Sequence, residues 1–210
     1  MNNKNIAVIN LNISNLGSIT RALKKLNYKS IVTNEIKDLN NSSHIIFPGV
    51  GSFDKGVEKL KKHNLYDNLF NLIEIKKKPF LGICLGMQLL GSVGHENNKE
   101  EKGLDILKGN IEKIEKKNDK IKIPHVGWNE VNQIKKDKIF KNIKNNTDFY
   151  FIHSYHLKMV NKDYVISYTN HGNNFVSCVR KKNIYGVQFH PEKSLNNGLH
   201  LINNFLKINA

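Results

Sequence analysis

Residues 78–90 read KPFLGICLGMQLL. Phe80, Leu81 and Ile83 make a short apolar run suited to a strand covered on both faces, and the run passes through Gly82, Cys84 and Gly86 into a helical pattern. The spacing G-x-C-x-G is that of a nucleophile elbow: the middle side chain is lifted clear of the strand, while small residues two before and two after it let helix and strands approach. Cys84 would stand at the top. A thiol beside the first N–H groups of a helix is biased toward thiolate, its nucleophilic form. A small buried core cysteine would suit the same apolar run, so chemistry at Cys84 needs a base elsewhere in the chain.

Upstream, the pattern alternates between strand and helix. Ile6–Leu11 reads as a buried strand and Asn12–Gly17 as a polar turn; Leu16, Ile19, Leu23 and Leu26 then recur at helical spacing, with Ser14 or Asn15 available as cap. Ser30–Thr33 and His44–Phe47 are further strands, the second running into Pro48-Gly49-Val50-Gly51-Ser52. Glycines on either side of a valine suit a tight turn whose N–H groups face a ligand, although a plain strand-to-helix connection fits as well. Leu60–Ile75 reads as one helix with Leu65, Leu69, Leu72 and Ile73 on its buried face. Such alternation predicts an α/β fold with a parallel sheet and helices on both sides. Ligands in these sheets gather at the carboxyl ends of strands, which makes Gly49–Gly51 and Cys84 neighbours.

After Gly94 the texture turns polar. Ile121–Ile123, Asp148–Ile152, Tyr164–Tyr168, Phe175–Val179 and Ile184–Phe189 read as short strands in hairpins added to the parallel core. Leu195–Ile208 closes the chain as an amphipathic helix with Leu199, Ile202, Phe205 and Leu206 on one face. No internal repeat or linker interrupts residues 1–210, so a single domain is expected.

A chain of 210 residues with 39% hydrophobic content can bury a full core. Met1–Asn5 is polar and the next apolar stretch is too short for a signal core or a membrane span, so a cytoplasmic protein with no membrane contact is expected. The formal net charge of +15 is spread over short lysine pairs at the edges of apolar segments. No aromatic-interleaved basic stripe accompanies it, and nucleic acid is not an expected partner. Two cysteines, Cys84 and Cys178, lack C-x-x-C spacing, and Cys178 in FVSCV reads as buried and inert.

Nine histidines compete to be the base. His190, in IYGVQFHPEKS, directly follows an apolar strand, and Pro191 fixes the backbone so that Glu192 can accept a hydrogen bond from its imidazole. His153 and His156 in YFIHSYH and His125 in PHVGWN lack the spacing of a zinc site and read as pocket or packing residues, with Trp128 and Tyr155 as apolar walls. No phosphate-binding glycine loop is present in the sequence.

Taken together and in order, P-G-V-G-S-F, G-I-C-L-G-M-Q and G-V-Q-F-H-P-E-K-S resemble the class I (triad) glutamine amidotransferases over nearly the whole chain. That resemblance implies a three-layer, flavodoxin-like α/β fold with a mostly parallel central sheet and added antiparallel strands. Cys84 would attack the side-chain amide of L-glutamine, His190 would shuttle the proton and Glu192 would orient it. Backbone N–H groups at Leu85 and in the Gly49, Val50, Gly51 loop would meet the oxyanion. Gln88, Ser154 and Tyr155 match substrate-holding positions, and Glu96 matches an acidic residue that grips the substrate amino group. No cofactor and no metal are implied.

Within the class, P-H-V-G-W-N, F-I-H-S-Y-H and H-P-E-K-S are similar to glutaminase subunits that deliver ammonia to a HisF-type (β/α)8-barrel cyclase in histidine biosynthesis. By that likeness Lys193 is an interface position, and His125, Trp128 and Asn129 lie on a loop at the same mouth. Asn10–Ser18 departs from the family pattern, with an acidic residue and two glycines replaced. A related subunit serving a HisF-like partner in surface-polysaccharide sugar amidation therefore stays open as the alternative.

Overall fold

The structure, a computed structural model, describes residues 4–12, 16–96, 99–119 and 121–208. Strand β1 (Asn5–Ile9) sets the layering: Ile6 and Val8 turn to one face, Ala7 and Ile9 to the other, and all four are inaccessible to solvent. A strand apolar on both faces needs a layer on each side. The chain supplies them through α1 (Leu16–Lys25), β2 (Lys29–Thr33), α2 (Ile36–Asn41), β3 (His44–Gly49), α3 (Phe53–Lys62), α4 (Leu65–Phe70), β4 (Phe80–Cys84) and the single turn α5 (Leu85–Gln88). There follow β5 (Val93–Glu96), β6 (Lys99–Lys102), β7 (Gly109–Lys113), β8 (His125–Gln133), β9 (Thr147–His153), β10 (Tyr155–Met159), β11 (Val165–His171), β12 (Asn173–Lys181), β13 (Ile184–Val187) and α6 (Leu195–Leu206).

The main sheet has nine strands in the order β2-β1-β3-β4-β13-β12-β11-β8-β9. Its β2 to β13 half is parallel, and the strands from β12 to β9 are antiparallel. On one face α1 and α6 bring Ile19, Leu23, Ile202 and Phe205 against Val8, Ile46 and Ile83. On the other, α3, α4 and α5 pack Val57, Leu60, Leu69 and Met87 over Ile9, Ile45 and Phe47, joined by Ile111 and Leu157 from a smaller sheet ordered β10-β7-β5-β6.

Several expectations are corrected. Residues 60–75 are not one helix: α3 begins at Phe53, Asn64 breaks the path in the left-handed region (φ 54, ψ 27), and Asn71–Ile75 is a wider π turn. Their buried face is as read, with Leu65, Leu69, Leu72 and Ile73 all in the core. Ile121–Ile123 pairs with no strand; Ile121 instead packs over Gly172 and the Lys122 carbonyl accepts from His171 Nε2. His125–Asn129 lies on a strand, β8, not a loop, paired along its length with β9. The proposed caps Ser14 and Asn15 lie outside the described residues.

Candidate active site

Cys84 ends β4 with φ 53 and ψ −108, a conformation an L-residue adopts only when its surroundings enforce it. Two glycines permit that enforcement. A Cβ on Gly86 would lie 1.9 Å from the Phe47 carbonyl oxygen, and one on Gly82 would lie 2.5 Å from the Gly86 oxygen. Bare backbone at both positions lets the turn after Cys84 lie against β3. Because α5 is only four residues long, the helix field expected to favour thiolate is that of one turn.

Strand β13 pairs with β4 in parallel register, Val187 opposite Ile83, so the segment leaving β13 emerges beside Cys84. That segment is pinned to β9. His190 N–H donates to the Tyr150 carbonyl at 2.8 Å, Ser194 Oγ donates to the His190 carbonyl at 2.7 Å, and Tyr150 N–H donates to Ser194 Oγ at 3.0 Å. His190 Nδ1 meets Glu192 Oε1 at 2.8 Å, with both side chains buried. Burial opposes charge on the imidazole, but Cys84 and Glu192 outweigh it and push His190 up to about 10, so the ring is imidazolium through neutral pH. His190 Nε2 is buried with no hydrogen-bond partner of good geometry, and Cys84 is the neighbour that does most to raise the ring against the pull of burial.

The sulfur faces a cleft of about 310 Å³. It is lined by Val50 and Gly51 after β3, Cys84 and Gln88 at the elbow, Glu96, Pro124, and Ile152 to Tyr155. Gly51 has φ 108, and Gly49 lies beneath the cleft, its backbone pressed on Leu85, so Val50 and Gly51 reach the space and Gly49 does not. Leu85 is itself buried as the first residue of α5. Glu96 Oε2 accepts the Phe53 N–H at 2.6 Å; burial raises its carboxyl and that bond partly offsets the rise. Ser154 and Tyr155 form the β9–β10 corner, and the Tyr155 carbonyl accepts from Gln88 Nε2 at 2.7 Å.

Of the residues assigned to a partner interface, Trp128 is half exposed and stacks edge-on with Tyr150. Lys193 is exposed and sits 5.6 Å above the same Tyr150 ring. Asn129 is partly covered, donating to the Asn170 carbonyl. His125 is buried, bonded through Nδ1 to His153 Nε2 at 3.0 Å and stacked on His171, and burial lowers it to about 4.

One residue was missed. Gln188 is inaccessible to solvent, and its Nε2 donates to Cys84 Sγ at 3.5 Å. The available signal was a lone amide inside the apolar run IYGVQF, since a buried amide must find partners.

The chain matches the family model "Glutamine amidotransferase class-I" over residues 7–208. It is 42% identical over 202 residues to "Imidazole glycerol phosphate synthase subunit HisH 2" of Methanococcus maripaludis, covering 96% of this chain and 98% of the relative. It is 38% identical over 208 residues to "Imidazole glycerol phosphate synthase subunit HisH" of Pelagibacter ubique, covering 97% and 100%. Among solved structures, one described as "glutamine amidotransferase" superposes with a TM-score of 0.74 at 17% identity, covering 96% of this chain and 97% of that one. A glutamine amidotransferase from Thermotoga maritima gives 0.66 at 17% identity, covering 98% and 84%. The last two speak to fold alone.

Proposed function

Because this chain belongs to the class I glutamine amidotransferase family, we propose that it is the glutaminase subunit of an imidazole glycerol phosphate synthase, with Cys84, His190 and Glu192 as its catalytic triad. The observation that carries the assignment of roles is the thiol on the strained end of β4 beside a buried His190–Glu192 pair at 2.8 Å on the neighbouring strand's exit. In this reading the Cys84 sulfur bonds to the side-chain carbonyl carbon of glutamine, and the oxyanion turns toward peptide N–H groups at Val50, Gly51 and Leu85. The His190 imidazolium gives its Nε2 proton to the amide nitrogen as the C–N bond breaks, releasing ammonia and leaving a thioester. Neutral His190 then takes a proton from water, whose oxygen displaces sulfur to give glutamate, while Glu192 holds the ring through Nδ1. Glu96, Gln88, Ser154 and Tyr155 surround the space for the substrate's polar ends.

Ammonia freed into neutral water would be protonated and lose its nucleophilicity, so it must pass directly to an acceptor site. We assign that role to a HisF-type cyclase barrel, forming a cytoplasmic heterodimer docked on the face bearing Val126, Trp128 and Lys193. Half-exposed Val126, paired with the cleft residue Ile152, and half-exposed Trp128 two residues on support such a surface. The relatives named above carry the synthase name and do not favour the sugar-amidation alternative. Replacing Cys84→Ala is expected to abolish glutamine-dependent product while the complex still works with ammonium salts. Glutaminase activity undiminished in Cys84→Ala would refute the assignment.

A further inference from the structure

Gln188 has a role that the triad does not supply, and its polarity can be read from one carbonyl. The Tyr155 oxygen can only accept, and Gln88 Nε2 donates to it at 2.7 Å, which fixes which end of the Gln88 amide is nitrogen. The same Nε2 donates to Gln188 Oε1 at 3.2 Å. The Gln188 oxygen is thereby turned toward Gln88, and its Nε2 is left facing Cys84 Sγ at 3.5 Å. A second donor, His153 Nδ1 at 2.9 Å, occupies the Tyr155 oxygen beside Gln88. The backbone of Gln188 is tied to β12 by its N–H to the Ser177 carbonyl at 3.0 Å. With Gln188 inaccessible to solvent, no water competes for its amide.

An N–H donor interacts more strongly with a thiolate than with a thiol, and the difference grows in a dry setting. Resting on the reading of Cys84 as nucleophile, we propose that Gln188 is a further catalytic residue whose amide N–H holds the Cys84 sulfur as thiolate, with Gln88 as the positioning residue that locks the amide the right way round. His190 supplies the opposite charge and the mobile proton; Gln188 supplies a fixed, neutral donor that keeps its hydrogen throughout the cycle. Gln88 therefore acts on the sulfur through Gln188 as well as bordering the cleft.

The test is iodoacetamide alkylation of Cys84, located by mass, as a function of pH in the full chain alone and with its cyclase partner. Cys178, fully buried, should stay unlabelled while the protein is folded. Gln188→Met removes the donor at nearly constant volume. It is expected to move the alkylation midpoint upward by about one pH unit and to lower kcat for glutamine by about ten- to a hundredfold with little change in KM. Gln88→Met is expected to move the midpoint the same way by less. Loss of packing alone would lower the folded fraction and leave the midpoint where it was. An unchanged midpoint in folded Gln188→Met overturns the proposal, and if that variant does not fold, the same measurement on Gln188→Leu decides. Alkylation requires no glutamine, so a wild-type complex that hydrolyses none defeats the glutaminase reading separately.

Discussion

At the scale of single residues, the absence of a side chain matters as much as the thiol. Gly86 brings its backbone so near β3 that an added methyl carbon would sit 1.9 Å from the Phe47 oxygen, and that oxygen belongs to a strand interior that cannot retreat cheaply. Gly86→Ala is therefore expected to lower stability by about 1–3 kcal/mol in urea unfolding and to abolish glutaminase activity, because the turn that lifts Cys84 must open. A variant with wild-type midpoint and activity would show that the close approach is dispensable. The place of Cys84 at a strand end and the His190–Glu192 contact were legible in the sequence because each sits in a short run whose spacing encodes local geometry. Gln188 was not, since its partners Cys84 and Gln88 come from distant segments and only the pairing of β13 with β4 brings them together.

Among the elements, the parallel half was readable because its inner strands β1, β3, β4 and β13 are buried on both faces and its helices carry a clear stripe. The antiparallel half and the small sheet were harder. Strand β6 is KEEK, charged throughout and mostly exposed, and β8 alternates around polar inward positions such as His125, so neither offers a hydrophobic period. The reverse error at Ile121–Ile123 has the same root: an Ile-Lys-Ile alternation has a strand's period, yet Ile121 is satisfied by packing on a loop glycine without a ladder. The break between α3 and α4 was hidden because Leu60 and Leu65 keep facing the core across it. Asn64, at φ 54 in that break, tolerates the left-handed region better than other non-glycine residues. Asn64→Ala is expected to destabilise by about 1 kcal/mol and Asn64→Gly to be nearly neutral, as read by chemical denaturation. Equal stability of the Ala and Gly variants would contradict that cause.

For the molecule as a whole, buried histidines set opposing limits with pH. Burial chiefly lowers His44 and His125 to about 4 and His153 to about 3, against an ordinary 6.5 when unfolded. Unfolding therefore takes up about three protons as pH falls from 6.5 toward 4, and stability declines across that window. His190 works in the opposite sense. Raised to about 10 by Cys84 and Glu192 against the pull of burial, it contributes stability that is complete below pH 6.5 and lost as pH rises toward 10. Thermal unfolding followed from pH 4 to 10 should show a maximum near pH 6.5, and a flat acid limb would remove the buried neutral histidines from the account.

Among the described residues, strand β13 is the last to be synthesised, yet it lies between β4 and β12 in the sheet. Gln188, 104 residues beyond Cys84, leaves that strand, and His190 and Glu192 follow it. A growing polypeptide thus carries its thiol long before the side chains of Gln188 and His190 that come to lie against it. By the roles proposed above, a chain cut short of β13 would hold Cys84 without Gln188, His190 or Glu192 beside it.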